Sequence, residues 1–294
     1  MVYRKTRLGM AADLCLYAAM TLLMLITLYP FWMQLVTSLE SGASVYTTRL
    51  MFVPEQVSLE AYRLAFHFKP LWTGYLNTIV RTALGVLCML IVTSLTAYPL
   101  SKKDLPFNRA FTGFLLLTML FTGGLIPNYL LIRELHLLNS VWALVLPGTL
   151  SAFNALVMRN FFRSIPESLE ESARVDGAGY LRIFISVILP LSAPVLATLA
   201  LWVGVGHWNA WFDSLIYIAD GHKQVLQVVL RKILIENDTA DMNAMIQKMN
   251  THSEYTDRQL QAAVVMLSIV PMLVVYPFAQ KYFVQGVMVG AIKG

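Results

Sequence analysis

The residues of this chain that could do chemistry cluster in one segment. "RNFFRSIPESLEESARVDGAGYLRIF", Arg159 to Phe184, carries Glu167, Glu170, Glu171, Arg174 and Asp176 in close succession and then a Gly-Ala-Gly turn. No HExxH, no GxSxG and no isolated carboxylate pair stands anywhere in the sequence, so catalysis is not expected. No GxxxxGK[ST] loop occurs either, so nucleotide would have to be bound by another chain. The two cysteines, Cys15 and Cys88, lie in apolar runs with no metal-ligand or disulfide spacing and read as small buried hydrophobes; no metal site is expected.

Its local structure follows from its residue types. Ser164 and Glu167 have the spacing of a capping box, with Pro166 in the first turn where its missing N–H costs nothing. The spacing predicts a short helix to about Asp176, with Gly177 as its C-terminal stop. Ile165, Leu169, Ala173 and Asp176 would share one face. Glu167, Glu170, Glu171 and Arg174 would share the other, with Glu170 and Arg174 paired at i, i+4. A second helix then leads into an apolar run bent by Pro190 and Pro194. Two readings fit: a solvated loop helix, or a rigid lever that carries a push from a partner into the bent helix.

The elements that must position this segment are membrane spans. Of the 294 residues, 57% are hydrophobic and 13% charged, against roughly 45–50% and about 25% in soluble domains. Apolar runs predict six transmembrane helices, at about 14–36, 72–100, 107–132, 141–158, 183–211 and 261–279. The first follows Arg4, Lys5 and Arg7 and reads as a retained span. The fold class is an all-α integral membrane protein, one domain over 1–294, with both termini on one side. Lys102, Lys103, Arg109, Arg159, Arg163, Arg174, Arg182, Lys281 and Lys293 join the N-terminal cations on that side. Positive charge therefore places it in the cytoplasm and accounts for the basic balance without nucleic acid.

The charged segment, 163–182, is then a cytoplasmic elbow between the fourth and fifth spans. Two long loops, 37–71 and 213–259, lie outside. In the second, Leu226, Val229, Leu230, Ile233 and Leu234 have the spacing of an amphipathic helix, and Thr256 and Gln259 that of a capping box. That loop either caps the bundle or docks an external partner.

"EESARVDGAGYLRIFISVILPLSAP" resembles the EAA loop of the permease subunits of bacterial ABC importers, a pattern of roughly E-A-A-x-x-D-G-A followed by apolar residues and a proline. Glu171, Ala173, Asp176, Gly177, Ala178 and Pro190 fall on it, and Ser172 replaces the middle alanine. "AYPLSKKDLPFNR", "GGLIPNYLLIRELHLLNSVWALVLPG" and "VGHWNAWFDSLIYI" extend the resemblance, the last two toward sugar-importing permeases for larger oligosaccharides. It reaches the permeases for uronic-acid oligosaccharides, the alginate importer among them. "YFVQGVMVGAIKG" is similar to the tail of the maltose-type permease that reaches between two ATP-binding subunits.

The resemblance implies a type I importer permease in the bacterial inner membrane. It implies a second permease subunit, two ATP-binding subunits that hold ATP and Mg, an external sugar-binding protein and an oligosaccharide substrate; this chain would bind no cofactor. Glu170, Glu171, Ser172, Ala173, Arg174, Asp176, Gly177 and Ala178 would meet an ATP-binding subunit. In the cytoplasmic tail, 282–294, so would Gly286, Gly290, Lys293 and Gly294. The outer loop would touch the binding protein.

Sugars are held by aromatic faces and hydrogen-bonding side chains. Path candidates are therefore Asn77, Arg81, Asn128, Tyr129, Asn154, Trp202, Trp208, Asn209 and Trp211. Trp208 and Trp211 also suit interfacial anchors, and Asn77 and Asn154 interhelical contacts. Arg81 lies well inside the second span, where a charge is expensive. It would attract an acidic sugar, pair with another residue, or reach to the headgroups. An ion-coupled secondary transporter is the alternative function, weakened by the lack of a carboxylate within the assigned spans.

Overall fold

A computed structural model describes residues 7–41, 52–235 and 257–291, and in the last stretch side chains for 258–274 and Pro277 only. Among the described residues the chain is helical, with a single isolated bridge between Glu40 and Val57. By compactness the chain falls into two discontinuous units. One contains 1–69 with 232–270, the other 70–231 with 271–294.

In the first unit, α1 (Arg7–Leu39) is an uninterrupted apolar helix whose side chains from Leu14 to Trp32 are almost all exposed. A helix apolar on every side fits hydrocarbon or another chain, not water. Its last turn is different. Val36, Ser38 and Glu40 are buried, and the Ser38 hydroxyl meets Tyr62 Oη at 2.7 Å on α2 (Glu60–His67). Glu40 accepts the backbone N–H of Glu55 at 2.9 Å and of Gln56 at 3.3 Å, so its carboxylate folds the returning chain. Gln259 donates to the Glu40 carbonyl. Thr256, its expected capping partner, lies outside the described residues. Cys15, expected to be buried, is exposed on α1, and Cys88 is half-buried. The run around Cys15 faces outward, whereas that around Cys88 lies on a helix only one side of which enters a packed core.

The second unit is built on α3 (Lys69–Ser101), which is long and apolar enough to cross a membrane, as is the stretch Gly9–Leu39 of α1. The three runs that follow are broken helices. The 107–132 run is α4 (Asn108–Leu120) and α5 (Leu125–Glu134), bent by 112°. Gly124 makes the break at φ 81°, a backbone region open to glycine at little cost. The 141–158 run becomes α6 (Val141–Val145), a turn containing Pro147, and α7 (Ala152–Ser164), bent by 54°.

The 183–211 run starts earlier, as α9 (Tyr180–Ile183), passes through a π turn at Phe184–Ile188 and the short α10 (Leu189–Leu191), and resumes as α11 (Ala193–Asn209) after a 76° bend. The break sits at Ser192, between the two prolines. The buried Ser192 hydroxyl donates to the Ile188 carbonyl at 2.7 Å, an acceptor that also takes the Ser192 backbone N–H at 3.0 Å, so the hydroxyl is satisfied within the broken helix.

The main core of this unit joins α3, α7 and the broken α9–α11 segment through Met89, Tyr98, Met158, Phe162, Ile183, Ile188 and Leu199. A second core joins Ile132, Leu144, Tyr217, Val225 and Val228. The helix expected in the outer loop is present as α13 (Leu226–Leu234), and Leu226, Val229, Leu230 and Ile233 of its expected stripe are buried; Val228 joins them and Leu234 is exposed. The expected position for Leu234 fell on the helix's last residue, beyond the packed turn. The final helix, α14 (Asp257–Ala291), contains the apolar stretch Arg258–Val274.

Candidate functional site

The charged segment forms α8 (Glu167–Val175), with a stop of specific geometry. Gly177 takes φ 81°. Its N–H donates to the Arg174 carbonyl at 2.9 Å, and the Ala178 N–H to the Ala173 carbonyl at 2.9 Å. This pair of bonds is a Schellman motif, which satisfies the last carbonyls and fixes the angle at which the chain leaves.

The start differs from expectation. Ser164 is still the last residue of α7, and its hydroxyl donates back to the Phe161 carbonyl at 2.7 Å. Pro166 holds itself and Ile165 extended and becomes the residue before the helix, so the capping box does not form.

The faces of α8 also depart from the periodicity. Glu170 is buried, while Leu169 is 43% exposed and Val175 88% exposed. Glu170 forms an ion pair with Lys102, just past the end of α3, and Tyr98 Oη donates to its other oxygen at 3.5 Å. The Lys102 ammonium lies 4.7 Å from the centre of the Tyr98 ring. Arg174, expected to pair with Glu170, instead stands 5.0 Å over the Tyr180 ring. The reason is tertiary: Lys102 offers Glu170 a partner on the inner face, and the helix turns to take it. Ala173 and Ala178 pack on the main core. Glu171 and Ser172 stay exposed, the Ser172 hydroxyl donating to the Ser168 carbonyl at 2.9 Å.

The end of α3 is held from a second direction. Arg159 Nε donates to the Leu100 carbonyl at 2.9 Å, and Arg163 to the carbonyls of Ser101 and Leu100 at 3.2 and 3.3 Å. Asn108 adds donations to the Leu100 and Lys102 carbonyls at 3.1 and 2.7 Å. Two cations at a helix C-terminus satisfy its free acceptors and oppose its dipole. None of these residues was legible as a site, although Arg159 and Arg163 stand one helical turn apart. Between this end of α3 and α8 lies a cleft of about 340 Å³ whose lining includes Lys102, Lys103, Arg163, Glu167, Glu171 and Arg174.

The residues singled out for a sugar path fall into separate places. At the other end of α3, Asn77 donates to the His222 and Gln224 carbonyls at 2.8 and 3.0 Å. Arg81 is only 2% exposed. Its guanidinium is ion-paired with Asp213 and donates to the Ala210 carbonyl at 3.1 Å and to His207 Nδ1 at 3.3 Å. The His207 ring lies against Gly85, where an added Cβ would come within 2.2 Å of Nε2. Asp213 opens α12 (Phe212–Tyr217). Desolvation, and then the Asp213 carboxylate, raise the Tyr217 phenol above its ordinary range.

Trp208 is buried near Tyr75, with ring centres 6.4 Å apart. Tyr129 stacks on Tyr217 at 6.3 Å, and Trp211, under Arg231 at 4.5 Å, packs on the same cluster. Trp202 stacks on Phe153 at 5.9 Å, and the neighbouring Asn154 is buried. Asn128 and Asn209 are exposed. Gly286 and Gly290 lie within α14, while Lys293 and Gly294 lie outside the described residues.

Residues 2–289 match the family described as binding-protein-dependent transport system inner membrane component. The chain is 36% identical over 282 residues to the polygalacturonan/rhamnogalacturonan transport system permease protein YtcP of Bacillus subtilis (strain 168), covering 96% of this chain and 98% of that one. It is 35% identical to protein LplC of the same organism, over 98% of this chain and 97% of the relative. Among solved structures it superposes with a TM-score of 0.89 and 34% identity, covering 95% and 98% of the two chains, on a chain of a bacterial ABC transporter involved in the import of the acidic polysaccharide alginate.

Proposed function

From the premise that this chain belongs to the family of binding-protein-dependent transport system inner membrane components, we propose that it is one permease subunit of an ATP-driven carbohydrate importer, with α8 as its coupling helix. One observation carries the assignment of α8. The helix is fixed at its C-terminus by the Gly177 motif and pinned on its inner face by Glu170. It leaves Leu169, Glu171, Ser172, Arg174 and Val175 outward. An apolar residue as exposed as Val175, flanked by charges and on a rigid mount, fits the edge of a protein cleft better than it fits water.

ATP and Mg are held by two separate ATP-binding subunits, and a second permease completes the path. Closure of the ATPase pair pushes α8, and alternating access follows from the different contacts that the two states offer it. The N-terminus, α8 and the tail with Gly286, Gly290, Lys293 and Gly294 are cytoplasmic, and the segment from Asp213 to Gln259 meets the sugar-binding protein outside. The substrate class is an oligosaccharide of an acidic polysaccharide, a reading supported by relatives named for polygalacturonan and alginate. With Arg81 already paired to Asp213, an acidic sugar would be held by other groups. An ion-coupled secondary transporter, the alternative drawn from the sequence, gains nothing from the family match.

Glu171→Lys tests the assignment. In the assembled transporter it should lower uptake of an oligogalacturonate by about tenfold or more, equivalent to ~1.4 kcal/mol of coupling, while membrane level and binding-protein affinity hold. Uptake at the wild-type rate would contradict the assignment of α8.

A further inference from the structure

Two partly buried ion pairs of the second unit lie about 30 Å apart along the same helix, and both acidic partners come from the α8–α12 stretch. Arg81 to Ser101 spans about 30 Å of α3, at about 1.5 Å rise per residue, close to the roughly 30 Å of a bilayer's hydrocarbon layer. Just past the C-terminus of α3 Lys102 holds Glu170 of α8; twelve residues in from its N-terminus Arg81 holds Asp213 of α12. We propose that α3 is a transmission rod. Lys102 and Glu170 are the positioning pair that passes motion of α8 into it, and Arg81 and Asp213 deliver that motion to the opposite face. The proposal rests on the importer reading and adds a route that the EAA resemblance does not contain.

The alternative route runs through covalent continuity from α8 into α9–α11, and the structure makes it a poor lever. That segment changes to a π turn at Phe184–Ile188 and bends by 76° at Ser192. A push at one end of a broken helix is absorbed at the break. By contrast α3 is continuous from Lys69 to Ser101, with Pro70 in its first turn and Pro99 in its last.

Its grip on the neighbouring elements is polar and directional at both ends. Arg159, Arg163 and Asn108 hold the terminal carbonyls at one end. Asn77, and Thr78 accepting the Leu226 N–H at 2.8 Å, hold the 222–226 backbone at the other. Glu170 is thereby separated from Glu171: the first grips α3, and the second is left for the ATP-binding subunit.

The test uses the full complex of both permeases, ATP-binding subunits and binding protein in lipid nanodiscs. Hydrogen exchange is followed at the amides of 207–215 in wild type, Glu170→Gln and Lys102→Arg. Glu170→Gln should raise exchange there about tenfold although the substitution lies on the other face, while Lys102→Arg should keep wild-type protection. The same variants, with Asp213→Asn and the reversed pair Lys102→Glu/Glu170→Lys, are assayed for the ratio of binding-protein-stimulated to basal ATPase, with oligogalacturonate as the sugar. Each pair-breaking single variant should lower the ratio about tenfold. The reversed pair should restore most of it. Glu170→Gln with Asp213→Asn should fall no further than either alone, because the two pairs act in series.

A stimulated wild type with unchanged exchange and unchanged ratios in the variants overturns the rod alone. So do losses that multiply between the two pairs. A wild-type complex with no binding-protein stimulation overturns the importer reading and the rod with it.

Discussion

Glu170 and Glu171 are neighbours of one residue type with opposite fates, and sequence periodicity assigns them to a common face. The structure separates them because a tertiary partner outranks amphipathic spacing: Glu170 reaches Lys102 across 68 positions of sequence, as Arg81 reaches Asp213 across 132. Nothing local announces either partner, so both pairs were invisible to a reading of spacing. A buried cation left alone in a membrane is costly, and pairing with Asp213 removes that cost. Gly85 gives a sharp residue-scale test. Gly85→Ala drives a methyl into the His207 ring, whereas at Gly204 the nearest atom to an added Cβ is 3.6 Å away. Gly85→Ala should therefore destabilise the assembled transporter by about 2 kcal/mol, and Gly204→Ala by much less. Thermal unfolding in detergent compares them, and equal midpoints would show that His207 does not depend on the glycine.

At the scale of elements, much was legible where the signal is local. The short helix at 167–175, its glycine stop and the amphipathic helix at 226–234 all follow from residue type and spacing, and the structure has them. The bends were less legible. Hydropathy averages over a window and cannot register a turn of a few residues, so 141–158 reads as continuous where the chain bends by 54°, and in 107–132 only the GGLIP stretch, Gly123 to Pro127, hints at the 112° bend. The 183–211 run was the exception, because Pro190 and Pro194 mark the break directly. Pro190 withholds a helix N–H from the turn before it. Pro190→Ala should return a backbone bond and reduce the 76° bend. Spin labels placed toward the ends of 180–209 would then move apart by several ångström, about what a one-turn straightening yields. Unchanged separation would mean that packing, not the proline, sets the bend.

For the whole molecule, sequence composition alone identified a membrane protein, and the charge distribution gave a consistent orientation for it. Function came from one segment, since the spans themselves are generic apolar helices and only the elbow between them carries an unusual combination of charge, glycine and proline. The family match spans residues 2–289, and the substrate class proposed above rests on relatives more than on any residue described in this chain. A chain whose long first helix exposes apolar side chains on every side, and whose charged helix exposes Val175, is built to be surrounded by lipid and other subunits.

The central claim is that α8 seats in an ATP-binding subunit. Its most direct test is site-specific disulfide or photo-crosslinking from position 175, followed by mass spectrometry of the product from native membranes. The account predicts a crosslink to a soluble chain carrying a Walker motif, lost on Glu171→Lys. A crosslink only to lipid, or to another copy of this chain, would contradict it.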